Sequence, residues 1–172
     1  VIKKRAVIAL FVLCLTAFSL TGCGYHISGK SGKMPEDIKA LTIPVFVNAT
    51  TKPDIEGIIT SSFISEFVTT VNVNDEAAYV MNGVITSYSL NGVSFTGKDI
   101  TQEYRLSVSV SVNIKDKKDG RIIWENKSIK DYEDFKVDTA DVTHTEEVEI
   151  ASFKKLTKDM ARIVKERMLE GF

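Results

Sequence analysis

The chain has 172 residues, 44% hydrophobic and 26% charged, with 22 basic and 23 acidic side chains and a formal charge of −1. That length and apolar content support a single domain with a real core. The near-neutral balance excludes a global attraction for nucleic acid or anionic lipid, so any basic site has to be local.

Residues 1–22 read as a signal peptide. Lys3, Lys4 and Arg5 form a positive start, and Ala6 to Leu20 an apolar run. At about 15 residues the run falls short of the roughly 18–20 that a membrane-spanning helix needs. Leu20-Thr21-Gly22-Cys23 then resembles a bacterial lipobox, the signal that marks a cysteine for lipidation and for cleavage just before it. The expected mature chain begins at Cys23 with N-acyl and S-diacylglycerol groups, a membrane anchor, and has no cofactor. Gly24, in place of the aspartate that favours inner-membrane retention, points to the periplasmic side of the outer membrane. Cys14 leaves with the signal peptide, so no disulfide is expected. Cleavage removes three of the 22 basic residues and none of the 23 acidic ones, taking the charge from −1 to −4. Residues 23–35, rich in Gly, Ser and Lys from Ser28, form the lipidated N-terminus and tether. Residues 36–172 form the domain.

Ile38 to Val47 is dense in Leu, Ile, Val and Phe and predicts a strand, edge-placed or bulged at Pro44, which cannot donate a ladder hydrogen bond. Ile55, Ile58, Ile59, Phe63 and Phe67 recur with helical spacing, so a helix is expected from about Pro53 to Thr70. A second strand follows from about Ala78 to Leu90, with Val80, Val84, Ile85 and Tyr88 as its apolar content. Asn91-Gly92 then opens a loop to about Ile100. Tyr104, Leu106, Val108, Val110, Val112 and Ile114 alternate with Arg105, Ser107, Ser109, Ser111 and Asn113, a half-buried strand. Lys117-Lys118-Asp119-Gly120 is a hairpin connection. Ile122 and Trp124 begin a fourth strand, whose phase shifts near Ile129 and predicts a bulge. Thr143-x-x-Glu146 can form a capping box. After it, Ile150, Phe153, Leu156, Met160, Ile163, Val164 and Met168 make the apolar stripe of a C-terminal helix. The expected fold is an α+β two-layer sandwich of order β-α-β-β-β-α, a four-stranded mixed sheet with two helices on one face. Its first two strands are parallel and its other pairs antiparallel.

Chemistry is sparse along this chain. His26 and His144 have no clustered partners for a metal, neither histidine lies in a nucleophile motif, and Glu146, Glu147 and Glu149 suit a solvated first helical turn. No catalytic and no metal-binding residues are expected, and the chain is not read as an enzyme. Local basic character remains: Lys98 after the second strand, Arg105, Lys115, Lys117, Lys118 and Arg121 around the hairpin, Lys127 and Lys130 on the fourth strand. These can gather against phosphates. Interleaved Asp99, Asp116, Asp119 and Asp131 leave open a second reading, a solvated face of mixed charge.

Together the pieces resemble a known family. Cys23-Gly24-Tyr25-His26 is similar to the C-G-[WY]-H start of LptE, the lipopolysaccharide-assembly lipoproteins. Ile43-Pro44-Val45-Phe46-Val47-Asn48 resembles their I-P-x-F-x-N, and Gln102-Glu103-Tyr104-Arg105-Leu106 resembles the x-E-Y-x-[LM] that opens their third strand. The resemblance implies a one-to-one plug inside the LptD outer-membrane β-barrel that assists its assembly. The pair would be the translocon that delivers lipopolysaccharide to the outer leaflet. It also implies lipopolysaccharide as a ligand. Lys98, Lys127 and Lys130 are the nearest matches, by neighbourhood, to the family's lipopolysaccharide-contacting residues. Two other readings fit the same anchor and polar body: a pilot lipoprotein for another channel, secretin-type, or a stand-alone lipid-binding lipoprotein.

Overall fold

The alternation at residues 104–114 becomes the spine of the sheet. A computed structural model describes residues 34–95, 101–137 and 142–170, all within the unit Ser31–Phe172. Cys23, the expected signal peptide, the expected tether as far as residue 33, and Lys98 lie outside the described residues. A 3-10 turn, Pro35–Asp37, precedes β1 (Ala40–Thr42), β2 (Val47–Asn48), α1 (Glu56–Phe67) and β3 (Asn72–Val73). There follow β4 (Tyr79–Phe95), β5 (Thr101–Asp116), β6 (Ile122–Lys136) and α2 (Val142–Glu170). The sheet order is β3-β1-β4-β5-β6, with β2 also paired to β4. As expected, β1 and β4 are parallel, whereas β4-β5 and β5-β6 are antiparallel.

The sheet has six strands where the sequence predicts four. The expected first strand is split: β1 and β2 flank a gap at Ile43–Phe46, around Pro44, and pair with β4 at separate registers, Leu41↔Tyr79 and Val47↔Val84. The added strand, β3, is two residues long and runs parallel to β1, with Asn72 N donating to Lys39 O and Asn74 N to Leu41 O. Its shortness leaves no periodicity to read. The expected loop after Leu90 is also replaced. β4 continues through Asn91-Gly92 to Phe95, because the long β5 offers partners such as Tyr104 opposite Gly92. Cross-strand pairing overrides the turn propensity of Asn-Gly.

α1 is shorter than predicted. Asp54 sits at φ 61°, outside helical backbone. Asn48 ties the connecting loop to the helix start, its Nδ2 donating to Lys52 O and to Glu56 Oε2. α2 already includes Val142, so Thr143 lies within the helix span and not before it.

Both helices close one face of the sheet. Ile59, Phe63 and Phe67 from α1 and Phe153, Leu156, Met160, Val164 and Met168 from α2 join one core with Met81, Ile85 and the alternating residues of β5. Ile150, expected in this stripe, is exposed. Val80 and Val84 point away from the core, and Met81 and Gly83 point inward with Ile85. A register shift after Ile85 then turns Tyr88 inward, opposite Val108. The Phe46 and Phe63 rings lie 4.8 Å apart. Phe46 N donates to Thr60 Oγ1, which donates in turn to Glu56 O, so a buried hydroxyl in the helix is satisfied.

Candidate functional site

Among the described residues the other face of the sheet carries no helix, and there the short polar side chains of β5 meet those of its neighbours. Ladder register sets the rows. Ser87, Ser109 and Lys130 form one, Ser89, Ser107 and Tyr132 the next, and Asn91, Arg105 and Asp134 a third. Towards the hairpin Asn82 Nδ2 lies 3.4 Å from Asn113 Oδ1. The predicted bulge produces this arrangement. Val112 pairs with Asn126 but Val110 with Ile129, so Lys127 and Ser128 are taken up opposite Ser111. The extra residue inverts the alternation. Trp124 and Ile129 both turn inward and are buried, and Lys130, Tyr132 and Asp134 all turn outward.

Arg105 organises the open face. Its Nε and Nη2 donate to the two carboxylate oxygens of Asp134, each at 2.7 Å, and its guanidinium lies 4.2 Å from the centre of the Tyr132 ring. The bidentate bond to Asp134 raises the arginine pKa, and the same bond lowers that of Asp134. With its charge engaged, Arg105 supplies a stacked plane more than a free cation. Tyr132 is held flat beside it and is 55% exposed.

The structure brings Lys130 to this platform, exposed beside Tyr132 and in no ion pair among the described residues. Lys127 projects from the bulge, with Nζ 3.7 Å from Glu125 Oε2. Lys98 and Cys23 lie outside the described residues. Sequence reasoning missed Tyr132 and Asp134 as parts of the same face. Their i, i+2 spacing from Lys130 was the available signal, once the bulge is counted. Such a surface offers hydroxyls, amides, an aromatic plane and ammonium groups, which suits a sugar–phosphate ligand held by charge-assisted hydrogen bonds. Among the described residues no three His, Cys, Asp or Glu side chains cluster to hold a metal ion.

A second polar cluster locks the helix layer to the sheet. Glu149 Oε1 accepts from Lys52 Nζ at 2.7 Å and from Tyr88 Oη at 2.6 Å. Tyr88 also packs edge-on against Phe153. Burial works against ionisation of Glu149, but the hydrogen bonds from Lys52 and Tyr88 outweigh it and leave the carboxyl below its ordinary pKa. Burial, and then the bond to Glu149, push the Tyr88 phenol up.

The profile of LptE, lipopolysaccharide-assembly, matches residues 38–168. No curated protein matches the chain in sequence. Among solved structures, a minor lipoprotein from Acinetobacter baumannii is similar at 21% identity and a TM-score of 0.50, covering 77% of this chain and 92% of its own. A lipoprotein B from Nitrosomonas europaea is similar at 13% identity and a TM-score of 0.52, covering 82% and 87%. A lipoprotein from Caulobacter crescentus CB15 matches at 11% identity and 0.51, covering 74% and 92%. At such identities these likenesses speak for the fold alone.

Proposed function

This chain belongs to the LptE family of lipopolysaccharide-assembly proteins, and on that footing we propose that it is an outer-membrane lipoprotein that plugs an LptD-like β-barrel. In this reading a lipidated Cys23 anchors it on the periplasmic side. The domain occupies the barrel lumen one-to-one and assists the barrel's assembly. The two together deliver lipopolysaccharide to the outer leaflet. The observation that carries the reading is the profile match from residue 38 to 168, which takes in every described strand, all of α1 and most of α2.

The open sheet face supports it physically. A porin-like lumen is polar and wet, and the Ser87–Ser109, Ser89–Ser107 and Asn82–Asn113 rows give a hydrated surface. Lys130 and Lys127, with Lys98 beyond the described residues, are our candidates for the phosphates of lipopolysaccharide. Tyr132 and the Arg105 plane would lie against its sugars.

The test is to tag the C-terminus, extract outer membranes in mild detergent and identify what co-purifies in stoichiometric amount. An LptD-like barrel at one-to-one upholds the reading. A different channel at that stoichiometry would make the chain a pilot lipoprotein, and no partner would make it a stand-alone lipid-binding one.

A further inference from the structure

β6 is last in the sheet order, so among the described residues no strand pairs with its outer edge. The backbone of that edge turns outward at Lys130, Tyr132 and Asp134. Ile85 O accepts from Ala49 N and so faces away from β5. Val110, opposite Ile85, therefore directs its backbone to Ile129, and the residues of β6 alternate from there. Tyr132 N agrees with this: a side chain takes its proton, Asp131 Oδ1 at 2.9 Å.

Such an edge invites another strand unless charge protects it. β6 is charged along its length, yet its charges are self-complementary. Residues directly opposite in an antiparallel pair share a face, so two copies of β6 can meet only about a two-fold axis through one residue. An axis at Lys130, Asp131, Glu133 or Asp134 sets like charges directly against each other. An axis at Ile129 meets the bulge, and one at Phe135 leaves a single residue of strand beyond it. An axis at Tyr132 sets Tyr132 against itself and Lys130 against Asp134, twice. Asp131 then meets Glu133, whose charge Lys155 already engages.

We infer that β6 is the contact between two copies of this chain, joined antiparallel about Tyr132 into one continuous sheet. Three opposed pairs supply about six backbone hydrogen bonds. Asp131 releases Tyr132 N to the ladder, one hydrogen bond exchanged for another. Lys130, in no ion pair among the described residues of its own chain, gains Asp134 of the second copy, a carboxylate that Arg105 holds from the other side. The charges that admit this register repel the slipped ones, so the edge is selective for its own copy. The pairing stands apart from the barrel reading and concerns copies outside any barrel.

The experiment uses the full-length protein in membranes of its own cells, with Tyr132→Cys and a thiol-to-thiol crosslinker shorter than about 8 Å. The wild-type chain, whose cysteines are Cys14 and Cys23, sets the background. The expected result is a crosslinked dimer at position 132 and none from Ser107→Cys, one strand inward. Lys130→Cys and Asp134→Cys should give a dimer only when expressed together, because each lies about 13 Å from its own copy. Adding Lys130→Glu to Tyr132→Cys should lower the dimer yield about tenfold, and adding Lys130→Arg should keep it. Background-level crosslinking at 132, a dimer from Lys130→Cys alone, or a yield that charge reversal leaves unmoved overturns the pairing. The barrel reading stands or falls separately, on co-purification.

Discussion

A Cβ built on Gly83 would lie 2.2 Å from Phe46 Cδ2 and 2.5 Å from its Cγ. The base of the ring is involved, so no small rotation relieves the contact. Gly83→Ala should cost about 1–3 kcal/mol in denaturant unfolding, the usual penalty for overpacking. Adding Phe46→Leu should recover part of it, a non-additivity expected of touching residues. Additive losses would show that the ring is not the obstacle. Nothing in the sequence around Gly83 announced this, because Phe46 reaches it from the distant gap between β1 and β2. The Lys52–Glu149–Tyr88 cluster was equally hidden, since its members are far apart in the chain. It has a pH signature. Glu149 is depressed in the folded state, so its contribution is present above the ordinary glutamate pKa of about 4.3 and is lost as pH falls through the lower folded value. Tyr88 is raised, so its contribution holds below about pH 10 and is lost as pH climbs past the ordinary tyrosine value. Melting temperatures of the wild type and Glu149→Gln should differ most between pH 6 and 8 and draw together progressively as the pH falls below the ordinary glutamate value. A difference independent of pH would assign the effect to packing instead.

At the level of elements, legibility followed length. β5 and the hairpin glycine, Gly120 at φ 74°, were readable because eleven alternating residues and one turn fix them locally. β1, β2 and β3 are two or three residues each and exist only through parallel pairing with distant segments, which leaves no local period. The β6 bulge falls between these cases. Its change of phase is visible, but the Arg105–Asp134 pair is not, because counting back from the turn without the bulge sets Arg105 opposite Glu133. Deleting Ser128 should be tolerated. Lys127 alone then opposes Ser111, and a straight ladder turns both Trp124 and Ile129 inward, so stability should fall by less than about 1 kcal/mol. Unfolding in urea measures this, and a loss of about 3 kcal/mol or more, the scale of burial at Ile129 and Phe135, would mean that the bulge itself is needed to face them inward.

In the reading proposed above, anchor and open face have separate tasks, and a substitution should disable each alone. The described core begins at Met34, already buried, and the family match begins at residue 38, so the fold is expected to stand without a lipid on Cys23. In the proposed reading that lipid serves membrane attachment. Each buried acyl methylene contributes about 0.8 kcal/mol, and two or more chains hold a protein stably where one holds it marginally. Cys23→Ala should therefore move the protein from the membrane fraction to the soluble periplasm, with an unchanged melting temperature once purified. Retention in the membrane would place the anchor in the apolar run at Ala6 to Leu20, and a lowered melting temperature would show that the lipid supports the fold. On the open face, Lys127→Glu with Lys130→Glu should weaken binding of purified lipopolysaccharide roughly tenfold or more, and less so at high salt, because exposed charges act through a screened field. The same variant should keep its barrel in the co-purification described above. If barrel recovery fell in step with lipopolysaccharide binding, the open face would not be a separate site, and general electrostatics of a mildly acidic domain would explain the losses.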